Sequence, residues 1–235
     1  MDRTPAPNGL EQTVQVSGLA GGYRVELEGN LSIPAGARGI VLFAHGSGSS
    51  RHSPRNRYVA EVLQQAGLAT LLMDLLTPDE ERVDMRTAHL RFDIALLAGR
   101  LIMATEWLHE RPGTRQLKVG LFGASTGGGA ALMAAAKLPG EIPPVSAVVS
   151  RGGRPDLAGA VLHTVITPTL LIVGSQDPEV IRLNEQALAQ MSAADIKELA
   201  IVPGATHLFE EPGTLEQVAR LARDWFLLYL DHPGS

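Results

Sequence analysis

Val119-Gly120-Leu121-Phe122-Gly123-Ala124-Ser125-Thr126-Gly127-Gly128-Gly129-Ala130-Ala131-Leu132 is the stretch on which the reading of the whole chain turns. Its left half is a short apolar run that suits a buried parallel strand. Its right half runs into an alanine-rich segment that suits a helix. Between them, Gly123-x-Ser125-x-Gly127 sets a serine on a strand-to-helix turn, the pattern of a nucleophile elbow. So sharp a turn strains the serine backbone and requires small residues two before and two after it. In return Oγ stands clear of the sheet, and free N–H groups of the helix N-terminus lie behind it, ready to receive a negative oxygen. The competing reading is a phosphate-binding or merely tight βα turn. A Walker-type loop is disfavoured, because no Gly-Lys-Ser/Thr follows.

On either side of this turn the chain alternates strands and helices. Residues 13–16 and 23–27 alternate apolar and polar and read as an antiparallel hairpin, with Gly21-Gly22 near its turn and Pro34 ending the second strand. Continuous apolar runs at 39–44, 68–73, 117–122, 145–149, 169–173 and 199–202 read as buried strands. Helices are expected over 57–66, 87–109, 178–191 and 215–230, and after Ser125 as far as Pro139-Gly140; the segment around Pro78 reads as a polar loop. An opening hairpin followed by strand–helix alternation implies an α/β protein with a mostly parallel central sheet and helices on both faces. The expectation is one domain over 1–235, with residues 1–10 a loose tail.

Composition narrows the function. The net charge of −5 argues against a nucleic-acid partner, which usually meets a basic face. No cysteine is present, so disulfides, thiolate metal sites and a cysteine nucleophile are excluded. The first nine residues lack the apolar core of a signal peptide, and Arg100 interrupts the best apolar run. No membrane partner is therefore expected, and the expected compartment is the cytoplasm.

In such sheets chemistry collects at the carboxyl ends of strands. His45, Asp74, Ser125, Arg151, Asp177 and His207 all lie just past expected strand ends. A serine hydroxyl is a poor nucleophile until a base takes its proton, and that base must be held in one tautomer by an acid. Ser125, Asp177 and His207 occur in the order Ser…Asp…His, with room between them for the intervening strand–helix units. Asp156 is a rival for the acid, and Glu179 a weaker one. Asp177 also stands where a helix N-cap would, just before Pro178.

Four motifs carry a resemblance: Ala44-His45-Gly46-Ser47-Gly48, Phe122-Gly123-Ala124-Ser125-Thr126-Gly127-Gly128-Gly129, Leu171-Ile172-Val173-Gly174-Ser175-Gln176-Asp177 and Gly204-Ala205-Thr206-His207. Through them the chain resembles the dienelactone-hydrolase-like group of the α/β-hydrolase superfamily, from the first hairpin to the last helix. The resemblance implies an α/β-hydrolase fold with little or no cap. It implies Ser125 as nucleophile, His207 as base and Asp177 as the acid that orients it. It implies an oxyanion hole from the backbone N–H of Thr126 and of Ser47, with Gly48 close behind. It implies a loop-bracing role for His45; Asp74 reads as a brace of the same kind. The namesake enzymes carry cysteine where this chain has Ser125, which favours ordinary ester or thioester chemistry.

The expected function is a serine hydrolase that cleaves a carboxylic ester, lactone or thioester, with no cofactor and no metal. The alternatives are an acyltransferase with the same three residues and a non-catalytic binder on this scaffold. Arg51, Arg55 and Arg57 follow the oxyanion loop, and Arg151 and Arg154 follow a strand end. Arginine at a cleft clamps carboxylate or phosphate, so Arg151 and Arg154 are candidate contacts for a small anionic substrate. Internal ion pairing is the competing reading.

Overall fold

The computed structural model describes residues 11–138 and 145–231. The expected tail, the expected stop at Pro139-Gly140 and His232 lie outside the described residues. The strands are β1 Gln12–Ala20, β2 Tyr23–Ser32, β3 Ile40–Ala44, β4 Ala69–Met73, β5 Val119–Ala124, β6 Val145–Arg151, β7 Thr169–Gly174 and β8 Lys197–Val202. They form one sheet in the order β1-β2-β4-β3-β5-β6-β7-β8. The β1–β2 hairpin is antiparallel and joins β4 antiparallel, and every pairing from β4 to β8 is parallel.

Helices α1 Pro54–Gln65, α2 Pro78–Thr87, α3 Ile94–Glu110, α4 Thr126–Lys137, α5 Pro178–Gln190 and α6 Thr214–Leu230 complete the chain. The strands' period of two sorts the core into two layers. Leu42, Leu71, Leu121 and Val148 face α3, α4 and α5. Val41, Phe43, Leu72, Phe122 and Val149 face α1 and α6. Phe43 and Phe122 meet across that second layer with ring centroids 4.9 Å apart. The chain moves outward from β3 to β4, then crosses back to β5 on the other side. The two βα loops beside that reversal carry the residues after β3 and β5, the place where open α/β sheets hold their chemistry.

Three expectations need correction. Helix α1 starts at Pro54, not at residue 57, because the Ser53 hydroxyl accepts the Asn56 N–H and caps it. The segment around Pro78 is not a loop: Thr77 and Glu80 form a reciprocal capping box, and Asp79, Glu80 and Glu81 suit the first turn of α2. The expected helix over 87–109 is broken. Ala88 is left-handed, at φ 54°, a short 3-10 turn follows at Leu90–Phe92, and α3 starts afresh with its cap on the Asp93 side chain. Arg100, on α3, is buried and reaches Glu80 of α2 at 2.6 Å. The segment Pro155–Thr164 forms a kinked 3-10 stretch that the hydropathy pattern had not announced.

Candidate active site

Ser125 sits between β5 and α4 at φ 51°, ψ −122°, a conformation costly to a side-chain-bearing residue. Backbone packing enforces it. A Cβ on Gly123 would overlap the Gly127 carbonyl, and one on Gly127 would overlap the carbonyl of Ala44 on β3. The Ser125 N–H donates to the Arg151 carbonyl at 3.2 Å, while its own carbonyl accepts from Gly128 at 2.9 Å and Arg154 at 3.0 Å. The end of β6 therefore holds the serine in place. Gly46 approaches so closely that a Cβ there would lie 3.1 Å from the Ser125 Cβ.

The loop after β3 turns back through a Ser49 N–H···Gly46 carbonyl bond of 3.1 Å, with Gly48 at φ 69°. His45 braces it from behind. Its Nε2 accepts the Leu75 N–H at 3.1 Å, so Nδ1 carries the proton and donates to the Gly46 carbonyl at 3.0 Å. Burial lowers the His45 pKa, against the opposing pull of the Gly46 bond and of Asp74 and Glu81, and so favours the neutral ring. Asp74 accepts the Arg51 N–H at 2.7 Å and pairs with the Arg51 guanidinium, which also binds Asn30 at 3.0 Å. Thr126 opens α4, where an N–H has no intrahelical acceptor. The Ser47 N–H donates to no group among the described residues.

Two further loops are stitched together. The Gln176 N–H donates to the Ala205 carbonyl and the Ser175 N–H to the Val202 carbonyl, both at 2.9 Å; the Gly204 N–H donates to Ser175 Oγ at 2.8 Å. A Cβ on Gly174 would overlap the Ala205 carbonyl. This stitching brings Asp177 to His207, whose Nδ1 donates to Asp177 Oδ2 at 2.7 Å. Asp177 does stand at the N-cap of α5, yet its side chain accepts none of the helix N–H groups. Asp156, the rival acid, is held by both Nε and Nη2 of Arg154, at 2.8 and 2.7 Å. Glu211 closes the His207 loop by accepting the Thr206 hydroxyl at 2.6 Å and the Thr206 N–H at 3.1 Å, and those bonds hold its carboxyl below the ordinary range. The imidazole lies against the end of β6: a Cβ on Gly152 would be 3.6 Å from His207 Cε1. Ser125 and His207 thus border neighbouring residues of one strand end.

Beside Ser47 and Thr126 opens a cavity of about 320 Å³. Leu75, Leu97 and Met85 give it apolar wall, and Glu81 and Asp84 of α2 give it charge. Asp84 is buried, which pushes its carboxyl up; hydrogen bonds from the Arg91 backbone and guanidinium outweigh that and hold it below the usual range. The contribution of α2 to this wall was missed in the sequence; the Thr77-x-x-Glu80 box was the signal for it.

The arginines divide. Arg51, Arg55, Arg57 and Arg154 are engaged with Asp74, Glu210, Glu11 and Asp156 respectively. Arg151 is only 7% exposed, and its Nε and Nη1 have no acceptor among the described residues. Its guanidinium carbon lies 5.8 Å from the centre of the Phe209 ring. Phe209 is itself buried and held at φ 56°. Burial and the nearby charge of Arg55 lower the Arg151 pKa to about 10, which leaves it cationic at neutral pH.

Among the described residues no helix is long and apolar enough to cross a membrane. Residues 27–228 match the model of the dienelactone hydrolase family. A crystal structure of a dienelactone hydrolase from Anabaena variabilis is 64% identical, covers 94% of this chain and 99% of its own, and superposes with a TM-score of 0.86. Est1E from Butyrivibrio proteoclasticus, 16% identical over 92% of this chain and 98% of its own, shares the fold with a TM-score of 0.71. A Mycobacterium tuberculosis protein named "Putative phosphoribosyl transferase" is 58% identical over 234 residues. The chain spans about half the length of such curated relatives, 100% of itself against 50% of theirs. With the family match covering most of the sheet and all four quoted motifs, the chain belongs to the dienelactone hydrolase family of the α/β-hydrolase superfamily.

Proposed function

We propose that the protein is a serine hydrolase of carboxylic esters, lactones or thioesters that works through an acyl-Ser125 intermediate. The observation that carries this reading is the 2.7 Å bond from His207 Nδ1 to Asp177. It assigns the proton of the neutral ring to Nδ1 and leaves Nε2 with a lone pair, the state a general base needs. Nε2 takes the Ser125 proton as Oγ attacks the substrate carbonyl. The negative oxygen is received by the N–H groups of Thr126 and Ser47, each such donor being worth about 3 kcal/mol. The imidazolium then gives its proton to the leaving oxygen or sulfur, and the acyl group stays on Ser125. Water, deprotonated by the same imidazole, releases it. Asp177 stabilises the imidazolium at each stage.

Arg151 is proposed as the arginine that meets substrate. The bidentate clasp of Asp156 on Arg154 supports a structural role for that second arginine. Intact-mass analysis after treatment with a fluorophosphonate tests the reading. One adduct is expected on the wild type and none on Ser125→Ala. A folded wild type that takes no label, or a Ser125→Ala variant that still takes one, overturns it.

A further inference from the structure

Asn184 is a polar residue in an apolar setting. It lies on α5 with no exposed surface, on a helix whose other buried side chains are Val180 and Ala187. Its Nδ2 donates to the Gly153 carbonyl at 3.0 Å and to the Val180 carbonyl, one turn back, at 2.7 Å. Two carbonyls at one end fix the orientation of the carboxamide, because the flipped side chain would set oxygen against oxygen. Its Oδ1 is buried without a donor among the described residues. An unmet buried acceptor costs stability. The Val180 carbonyl does not require this side chain, since α5 already supplies it with a backbone donor. What Asn184 adds is the bond to Gly153.

That bond leads to the nucleophile. The Gly153 carbonyl and the Arg154 N–H belong to one peptide group, and the Arg154 N–H donates to the Ser125 carbonyl at 3.0 Å. The Ser125 carbonyl and the Thr126 N–H belong to one peptide group in turn, and that N–H is the oxyanion donor named above. A trans peptide is planar, with its carbonyl and N–H pointing in opposite directions. Pinning the carbonyl therefore aims the N–H. Gly128, the other donor to the Ser125 carbonyl, sits in the first turn of α4 and moves with it. Arg154 is the tether from outside that helix. The second oxyanion donor is built alike, one link shorter: the Gly46 carbonyl, which shares a peptide group with the Ser47 N–H, accepts from His45 Nδ1 at 3.0 Å.

We propose that Asn184 is a positioning residue for the oxyanion hole, aiming and polarising the Thr126 N–H through the 153–154 and 125–126 peptide groups. The proposal rests on the hydrolase reading and gives one of its two oxyanion donors a support on α5. When Oγ bonds to the substrate carbonyl carbon, the π pair moves to the carbonyl oxygen, and the new negative charge faces the Thr126 N–H. Each amide in the line then makes the next a better donor, a strengthening of about 10–30% per bond. The bound ester carries little of that charge, so the effect belongs to kcat and not to KM.

Two substitutions and two esters test this. Asn184→Ala removes both bonds. Asn184→Ser keeps a hydroxyl for the Val180 carbonyl but is one atom too short for Gly153. Both should lower kcat for phenyl acetate about three- to tenfold with KM unchanged, well short of the hundred- to thousandfold loss that follows removal of a donor. The sulfur of O-phenyl thionoacetate draws far less on N–H donors, so its kcat/KM should fall less. The oxo-to-thiono ratio should therefore drop about threefold or more, whereas a merely structural role lowers both esters alike. Nuclear magnetic resonance of the isotope-labelled protein needs no turnover: the Thr126 amide proton should move upfield in both variants and the Ser47 amide should stay in place. An unmoved ratio, a change confined to KM, or an unmoved Thr126 amide would overturn the proposal with the hydrolase reading intact. Should neither variant fold, the wild type decides. Phenylboronic acid bound at Ser125 should shift the Asn184 side-chain amide downfield and leave that of Gln64, bonded to Thr70 near the start of β4, unmoved; an unmoved Asn184 amide overturns the proposal. If no ester is cleaved and no fluorophosphonate label is taken, the hydrolase reading fails, and the Thr126 amide in Asn184→Ala alone decides whether the line of amides exists.

Discussion

The two flanks of Ser125 are built by opposite rules. On the cavity side Asp84 has Arg91 and Asp74 has Arg51, and the exposed Glu81 stands without an ion-pair partner among the described residues. On the His207 side Arg151 is more buried than most of these and is matched by nothing among the described residues. A paired charge is architecture, because breaking the pair leaves a buried ion behind. The difference gives the two flanks different tolerances: breaking a pair on the cavity side strands a buried ion, whereas Arg151 has no ion-pair partner among the described residues to lose.

The centre shared by both flanks gives the largest expected effect. Asp177→Asn should fold normally yet lose roughly four powers of ten in kcat, because the wrong tautomer of His207 is then favoured. Steady-state kinetics on a neutral ester with circular dichroism checks this, and a fully active variant would remove Asp177 from the machinery. Next comes the matched pair of the cavity side. Asp84→Asn leaves Arg91 without its partner and should cost about 3 kcal/mol, a fall in Tm of roughly 6–12 °C. A variant as stable as the wild type would show that the pair is not what holds α2 in place. Smaller still, Glu81 lines the cavity beside Ser47 and Thr126, so Glu81→Gln should raise kcat/KM for an anionic ester such as monophenyl succinate by about two- to threefold at low salt and leave it unchanged at high salt, as screening of an exposed charge requires.

The last effect is a slope and not a level. Burial lowers the folded-state pKa of His45 below 6.5, so protons bind the unfolded chain first. Its contribution to stability is complete above about pH 6.5 and is lost as pH falls below that value toward the folded pKa. His45→Asn should therefore show a flatter Tm-against-pH curve between pH 7.5 and 5 than the wild type. Parallel curves would mean that burial of the imidazole is not what keeps the ring neutral.

Much of this was legible in the sequence, for identifiable reasons. Runs such as 39–44 and 169–173 have no polar side to show because their strands are covered on both faces, and they were found as strands with ends right to within a residue or so. The elbow was legible because Gly123 and Gly127 are required by backbone contacts that no other residue tolerates. Helix α2 was not, because residues 78–87 carry a run of charge and only Asp84 is buried, so hydropathy has nothing to register. The left-handed Ala88 was hidden for the opposite reason: the apolar period of α3 continues smoothly into the segment before it. Arg151 and Arg154 looked alike in sequence. What separates them is tertiary: Asp156 lies two residues from Arg154, whereas Arg151 is buried by Phe209, far along the chain.

The close approach of β3 to the elbow has one more consequence. Residue 125 is aimed by carbonyl groups and glycines alone, and nothing in that aim depends on the atom at its tip. Ser125→Cys would set a sulfur at the same address with the main chain unmoved, and a thiolate attacks with its own preferences among acyl groups. Position and reagent are thus separately adjustable here, so a lineage could trade oxygen chemistry for sulfur chemistry by a single codon without redrawing the scaffold.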